Sequence, residues 1–155
     1  MPKKRPAATD AARHDLIARL NEDLSREYQA IIAYIVYSQA IKGAAYMNIA
    51  RELEVHAREE LAHALIIAKQ IDYLGGEMTV TPQPVRTSGD PKAMLRFDLE
   101  NERVTIKHYR ERVRQCEALG EYAMAEHIRG ILVNEQEHLT DLATALGQDP
   151  PNLSE

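Results

Sequence analysis

Apolar residues recur at helical spacing over four stretches of the chain, and glycine or proline separates each stretch from the next. The first runs from about Asp10 to Lys42, with Leu16, Leu20, Leu24, Ile31 and Ile35 among its apolar positions. Gly43 interrupts it, and a second period runs from about Ala45 to Leu74, closed by Gly75-Gly76. Glu77 to Gly89 carries Pro82 and Pro84 and has no helical period. Asp90-Pro91 then reads as an N-cap followed by proline in the first helical position, opening a third helix that reaches about Ala118. Gly120 marks a short turn, and a fourth helix spans roughly Glu121 to Leu146. Short turns at Gly43 and Gly120 make two antiparallel helix hairpins. The long middle connection is able to cross the length of a bundle. The expected fold is all-α, a four-helix bundle at residues 10–147, with a basic N-terminal tail at 1–9 and a C-terminal tail at 148–155.

A repeat runs through this pattern with an offset of 75 residues. Glu27 corresponds to Glu102, Tyr34 to Tyr109, Glu60 to Glu135 and His63 to His138, so each half reads E-x6-Y-x25-E-x2-H. Leu20 and Leu95, Asp23 and Asp98, Leu24 and Leu99, and Ile31 and Ile106 keep the same offset. A lone E-x-x-H is weak evidence of a site. Two copies, each preceded at one distance by Glu and Tyr, are not, because packing alone would preserve apolar residues rather than carboxylates and imidazoles.

Chain geometry brings the repeated residues to one level. Sixteen residues separate Glu27 from Gly43 and seventeen separate Gly43 from Glu60. The chain therefore goes out ~24 Å and returns ~25 Å at the helical rise. The second hairpin does the same about Gly120. Glu60 with His63, and Glu135 with His138, are i, i+3 pairs on one helix face. Four carboxylates and two imidazoles in one layer of an apolar bundle would bury like charge at high cost unless cations neutralised it. Mixed carboxylate and imidazole donors suit iron or manganese better than magnesium or calcium.

At these residues, across roughly Leu16 to Gly147, the chain resembles the bacterioferritins and other ferritin-like di-iron proteins. Met94-Leu95-Arg96 and Asn134-Glu135-Gln136-Glu137-His138 are especially similar to bacterioferritin. The resemblance implies a ferritin-like bundle holding two iron ions per subunit. Glu27 with His63 would hold one iron, Glu102 with His138 the other, and Glu60 and Glu135 would bridge them. It implies a ferroxidase that oxidises Fe(II) with O2 or H2O2 for iron storage and detoxification. Glu59 would then orient His138, and Asn134 would orient His63. Leu61 stands where bacterioferritins place a haem-ligating Met, so no haem is expected there. The residues from Gln148 to Glu155 are not expected to form the fifth helix of the 24-subunit cages. A homo-oligomer built from dimers is expected, closing into a 24-mer or 12-mer cage or stopping at the dimer.

The other polar residues change this picture less. Tyr34 is expected beside the ligands as a hydrogen-bond or electron donor, with plain packing the competing reading for Tyr109. His56 reads first as a satisfied histidine and second as an accessory iron position. Its repeat partner is Ile131. The single Cys116 excludes an internal disulfide and reads as a buried thiol. No Cys-x-x-Cys pair supports a rubredoxin-type centre, which leaves a stand-alone di-iron peroxidase or oxidase as the redox alternative. Lys3, Lys4 and Arg5 are the feature a Dps-like DNA-protecting protein would use, but a solvated tail is the favoured reading, and the net charge of −5 points away from nucleic acid. Apolar residues make up 45% of the chain without a membrane-length run, so a soluble, cytoplasmic protein is expected.

Overall fold

The computed structural model describes residues 7–154, and Lys3, Lys4 and Arg5 lie outside them. Four helices are present, α1 (Ala7–Ala40), α2 (Met47–Tyr73), α3 (Pro91–Ala118) and α4 (Tyr122–Ala145), with a 3-10 turn at Ala44–Tyr46 before α2. No strand occurs among the described residues. Helix α1 begins three residues earlier than the periodicity suggests, inside the segment read as a tail. Gly43 takes φ 123° and Gly120 φ 75°, conformations that favour glycine, and these allow the two hairpins to turn within a few residues. At the start of α3 the Asp90 side chain accepts a hydrogen bond from the Lys92 backbone N–H at 3.1 Å.

Contacts are most extensive between α1 and α2 and between α3 and α4, with α1 on α3 and α2 on α4 completing a square. Helix α1 is thus diagonal to α4. The connection from Leu74 to Asp90 climbs back along α1, held by a stripe of polar side chains. Asn21 donates to the Glu77 carbonyl at 2.9 Å and accepts from the Thr79 N–H at 2.7 Å. Ser25 Oγ donates to Thr81 O at 2.7 Å, Gln29 Nε2 to Pro84 O at 2.7 Å, and Tyr37 to the Arg86 carbonyl. Positions 21, 25 and 29 share one helix face, so the extended segment finds partners for its backbone groups without a strand beside it. The segment thereby returns the chain to the Gly43 end of the bundle, and α3 descends antiparallel to α1.

The core divides into two apolar clusters. Leu16, Leu20, Leu24, Ile67, Ile71, Cys116, Met124 and Ile128 fill one end. Tyr37, Ile41, Leu53, Leu95, Leu99, Leu139 and Leu142 fill the other. Between them lies a layer of buried polar residues. Ile35, expected to share the apolar period of α1, is instead 53% exposed. With Ile32 and Val36 it continues into exposed Leu61 and Leu65 of α2, and a groove between the two helices is lined by Ile31, Ile35 and Leu61. No described helix is long and apolar enough to cross a membrane.

Candidate metal centre

The polar layer contains Glu27 from α1, Glu60 and His63 from α2, Glu102 from α3, and Glu135 and His138 from α4, all buried. Each helix contributes where it passes between the two apolar clusters, and the i, i+3 pairs on α2 and α4 face each other. His63 Nδ1 lies 2.8 Å from Glu60 Oε2, 2.7 Å from Glu135 Oε1 and 3.8 Å from Glu27 Oε2. His138 Nδ1 lies 3.1 Å from Glu60 Oε1, 3.7 Å from Glu102 Oε1 and 3.9 Å from Glu135 Oε2. Glu60 and Glu135 therefore each turn one oxygen toward each imidazole. The result is two overlapping donor groups, Glu27-Glu60-His63-Glu135 and Glu60-Glu102-Glu135-His138, with the donor atoms in each within 4.8 Å of one another.

A second ring of hydrogen bonds orients these donors. Tyr34 donates to Glu102 Oε1 at 2.6 Å, and Tyr109 donates to Glu27 Oε1. On the far side of each imidazole, His63 Nε2 meets Asn134 Oδ1 at 2.8 Å and His138 Nε2 meets Glu59 Oε2 at 3.2 Å. Asn134 also donates to Glu59, linking the two supports. These outer contacts leave both Nδ1 atoms directed into the layer, since a hydrogen bond on one ring nitrogen fixes where the other points.

Several carboxylate oxygens here have no hydrogen-bond partner among the described residues: Glu27 Oε2, Glu102 Oε2 and both oxygens of Glu135. Glu135 Oε1 is near His63 Nδ1 in distance but off the direction of a hydrogen bond. Buried lone pairs without partners are costly, and divalent cations are the partners such a donor set fits. Protons substitute in the metal-free layer. Burial pushes the Glu27 carboxyl up to about 7, with the Glu102 and Asp23 charges adding to it. Burial, then neighbouring carboxylates, raise Glu60 and Glu135 well above the ordinary range. Against its own burial Glu102 moves down, through the adjoining Glu135 carboxyl, the His138 charge and the Tyr34 hydrogen bond. His138 rises to about 10 against its own burial, through Glu102 and then Glu135. Burial and the His138 charge lower His63 to about 4.

The sequence profile of the ferritin-like domain matches residues 17–150. The chain belongs to the ferritin-like family. This ferritin-like protein is 27% identical over 132 residues to a bacterioferritin of Brucella melitensis, covering 84% of this chain and 82% of the relative. Its fold superposes on a ferritin-like, diiron-carboxylate protein from Bacillus anthracis with a TM-score of 0.84 and 31% identity, covering 87% of this chain and 97% of the other. A dodecameric thioferritin from Bacteroides fragilis, described as bacterioferritin-related, gives a TM-score of 0.81 at 29% identity, covering 87% and 86%. The family is one of iron storage and ferroxidase chemistry at dinuclear sites.

Two features of this ferritin-like protein were not legible in its motifs. Arg112 is 2% exposed and pairs with Asp23, Nε to Oδ2 at 2.7 Å and Nη2 to Oδ1 at 3.2 Å. The repeat breaks there, since position 112 corresponds to Tyr37, and that break was the available signal. Asp98, the counterpart of Asp23, is left with an unpartnered Oδ2, and burial followed by the Glu102 charge raises its carboxyl well above the usual range. Cys116, by contrast, is fully buried as expected, and burial pushes its thiol up to about 12.

Proposed function

We propose that this chain is a ferroxidase that takes Fe(II) as substrate at the six-residue layer. Glu27 and His63 hold one ion, Glu102 and His138 the other, and Glu60 and Glu135 bridge them. The observation that carries the reading is the division of Glu60 and Glu135, one oxygen toward His63 and the other toward His138. Two ferrous ions bound there supply two electrons, enough to reduce H2O2 to water or O2 to H2O2 with uptake of two protons. The protein's part is to place the ions side by side and to accept their charge. Glu27, Glu60 and Glu135 give up protons as the ions arrive, so the layer exchanges one form of neutralisation for another. Tyr34 and Tyr109 hold the two non-bridging carboxylates, while Asn134 and Glu59 hold the two rings.

The fate of the product is storage as iron(III), which needs an enclosed assembly. We place the chain in a homo-oligomer, supported by the dodecameric state named for the Bacteroides fragilis relative and by the exposed apolar strip on α1 and α2. Stopped-flow oxidation tests the reading. Protein given Fe(II) and then O2 or H2O2 should turn over rapidly at two ions per subunit, and Glu60→Ala with Glu135→Ala should abolish the rapid phase while keeping the helical fold. Parental rates in that double variant would refute the assignment.

A further inference from the structure

One turn beyond the dinuclear layer, Glu52 and His56 of α2 face Asp141 of α4. His56 Nε2 lies 3.1 Å from Asp141 Oδ2 and 3.8 Å from Glu52 Oε1, and the three donor atoms all fall within 4.8 Å of one another. Donor atoms on one first-row ion sit about 3–3.5 Å apart when each bond is close to 2.1 Å. Small rotations of the two carboxylates reach that spacing, because their side chains are 46% and 42% exposed while the ring is 1% exposed. A fixed imidazole with two adjustable carboxylates can close around an ion without moving a helix.

The ring's surroundings direct it to the same task. His56 Nδ1 has no hydrogen-bond partner among the described residues, so its polar contacts are all made on the Nε2 edge, toward the carboxylates. Its faces and edges are taken up by aromatic neighbours. It stacks on His138 with centroids 4.0 Å apart at 25° and meets Tyr34 edge-on at 5.1 Å. A solvent-facing pocket lined by Asn48, Ile49, Glu52, Asp141 and Thr144 leads to the carboxylates from outside.

The internal repeat shows that packing does not demand this arrangement. Positions 52, 56 and 141 correspond to His127, Ile131 and Ile66 in the other half. Ile131 fills its place as a buried core residue. A buried imidazole flanked by two carboxylates is therefore confined to one end of an otherwise duplicated bundle.

We propose that Glu52, His56 and Asp141 form a third metal site, which binds one divalent transition-metal ion beside the dinuclear centre. Two carboxylates and one imidazole select Fe(II), Mn(II), Co(II) or Zn(II) over calcium and magnesium. The pocket leaves the remaining coordination positions to water, so the ion exchanges with solvent. The stacked His56–His138 pair makes this site the immediate neighbour of the layer where iron is oxidised.

Zn(II) is the probe, being redox-inert. Anomalous diffraction from crystals of the full chain grown with Zn(II), together with titration calorimetry, should show a peak bonded to His56 Nε2 in addition to those at the dinuclear layer. Glu52→Gln with Asp141→Asn should remove that peak and one equivalent of binding, leaving the other ions in place. In Glu60→Ala with Glu135→Ala the peak at His56 should persist, which separates this site from the dinuclear reading: loss of the layer's ions alone leaves it standing. A filled dinuclear layer with no density at His56 would overturn the proposal. So would a His56 peak unchanged by the Glu52 and Asp141 substitutions, or one that vanishes with the Glu60 and Glu135 substitutions.

Discussion

Tyr34 on α1 donates its phenolic hydrogen bond to Glu102 on α3, spanning from one hairpin to the other at 2.6 Å. Its counterpart Tyr109 on α3 reaches back to Glu27 on α1. Glu27 and Glu102 are thus each held by a tyrosine from the opposite hairpin, and the two halves of the repeat lock each other's carboxylates in place.

Tyr34→Phe removes this hold while keeping the ring's packing. Glu102 then gains a free rotor, and a ligand held less firmly binds and positions its ion less well. Initial Fe(II) oxidation should slow by roughly 10-fold or more. Helical content and Tm should stay near the parental values. Stopped-flow absorbance checks the rate, and a variant as fast as the parent would assign Tyr34 to packing alone.

The metal-free protein should lose stability as pH rises above about 6.5. Glu60, Glu135 and Asp98, all raised by burial, retain protons in the folded state that the unfolded chain has released, and His138 does so up to about 10. The folded state then binds more protons than the unfolded, so stability falls with increasing pH. His63, lowered to about 4 from 6.5, acts in the opposite sense, but only below 6.5. Thermal melts from pH 6.5 to 8.5 in the presence of chelator should show a falling Tm. Melts with Zn(II) bound should flatten the slope, because the ions replace the protons.

Arg112→Leu takes the fully buried cation from Asp23 and leaves the carboxylate only the partly exposed Arg26. Breaking one side of a buried, doubly hydrogen-bonded pair costs about 3–5 kcal/mol. Asp23→Asn with Arg112→Leu should recover part of that loss, since no charge is stranded. Urea melts of the three proteins measure both steps, and a single Arg112→Leu within 1 kcal/mol of the parent, about the size of an exposed pair, would contradict the burial of this one.

Haem added to the purified protein should produce no stoichiometric complex with thioether ligation at position 61. Leu61 stands 53% exposed on the α1–α2 face and has no donor to offer an iron. Titration followed in the Soret region checks this. Leu61→Met is the matched variant: if the groove can seat haem between two copies, only this variant should bind it.

Much of the protein was determined by sequence alone because the relevant distances are local. Helical rise and the positions of Gly43 and Gly120 set Glu27, Glu60, Glu102 and Glu135 at one level, and the i, i+3 spacing put each histidine beside its glutamate. The apolar period likewise announced four helices, since each had to bury a face. What lies between helices was decided only by tertiary structure. The period on α1 does not say that Ile35 faces outward, because its face is fixed by where α2 and α3 dock. The polar positions Asn21, Ser25 and Gln29 look like a solvated stripe until the segment after Leu74 lies along them. Arg112 and Asp23 are 89 residues apart, and nothing local links their charges. His56 read as a satisfied histidine without a named partner, and only the docking of α4 shows that Asp141, 3.1 Å from its ring, is that partner. Periodicity reports which residues share a helix face; which faces meet is set by packing across the bundle, where sequence separation carries no distance.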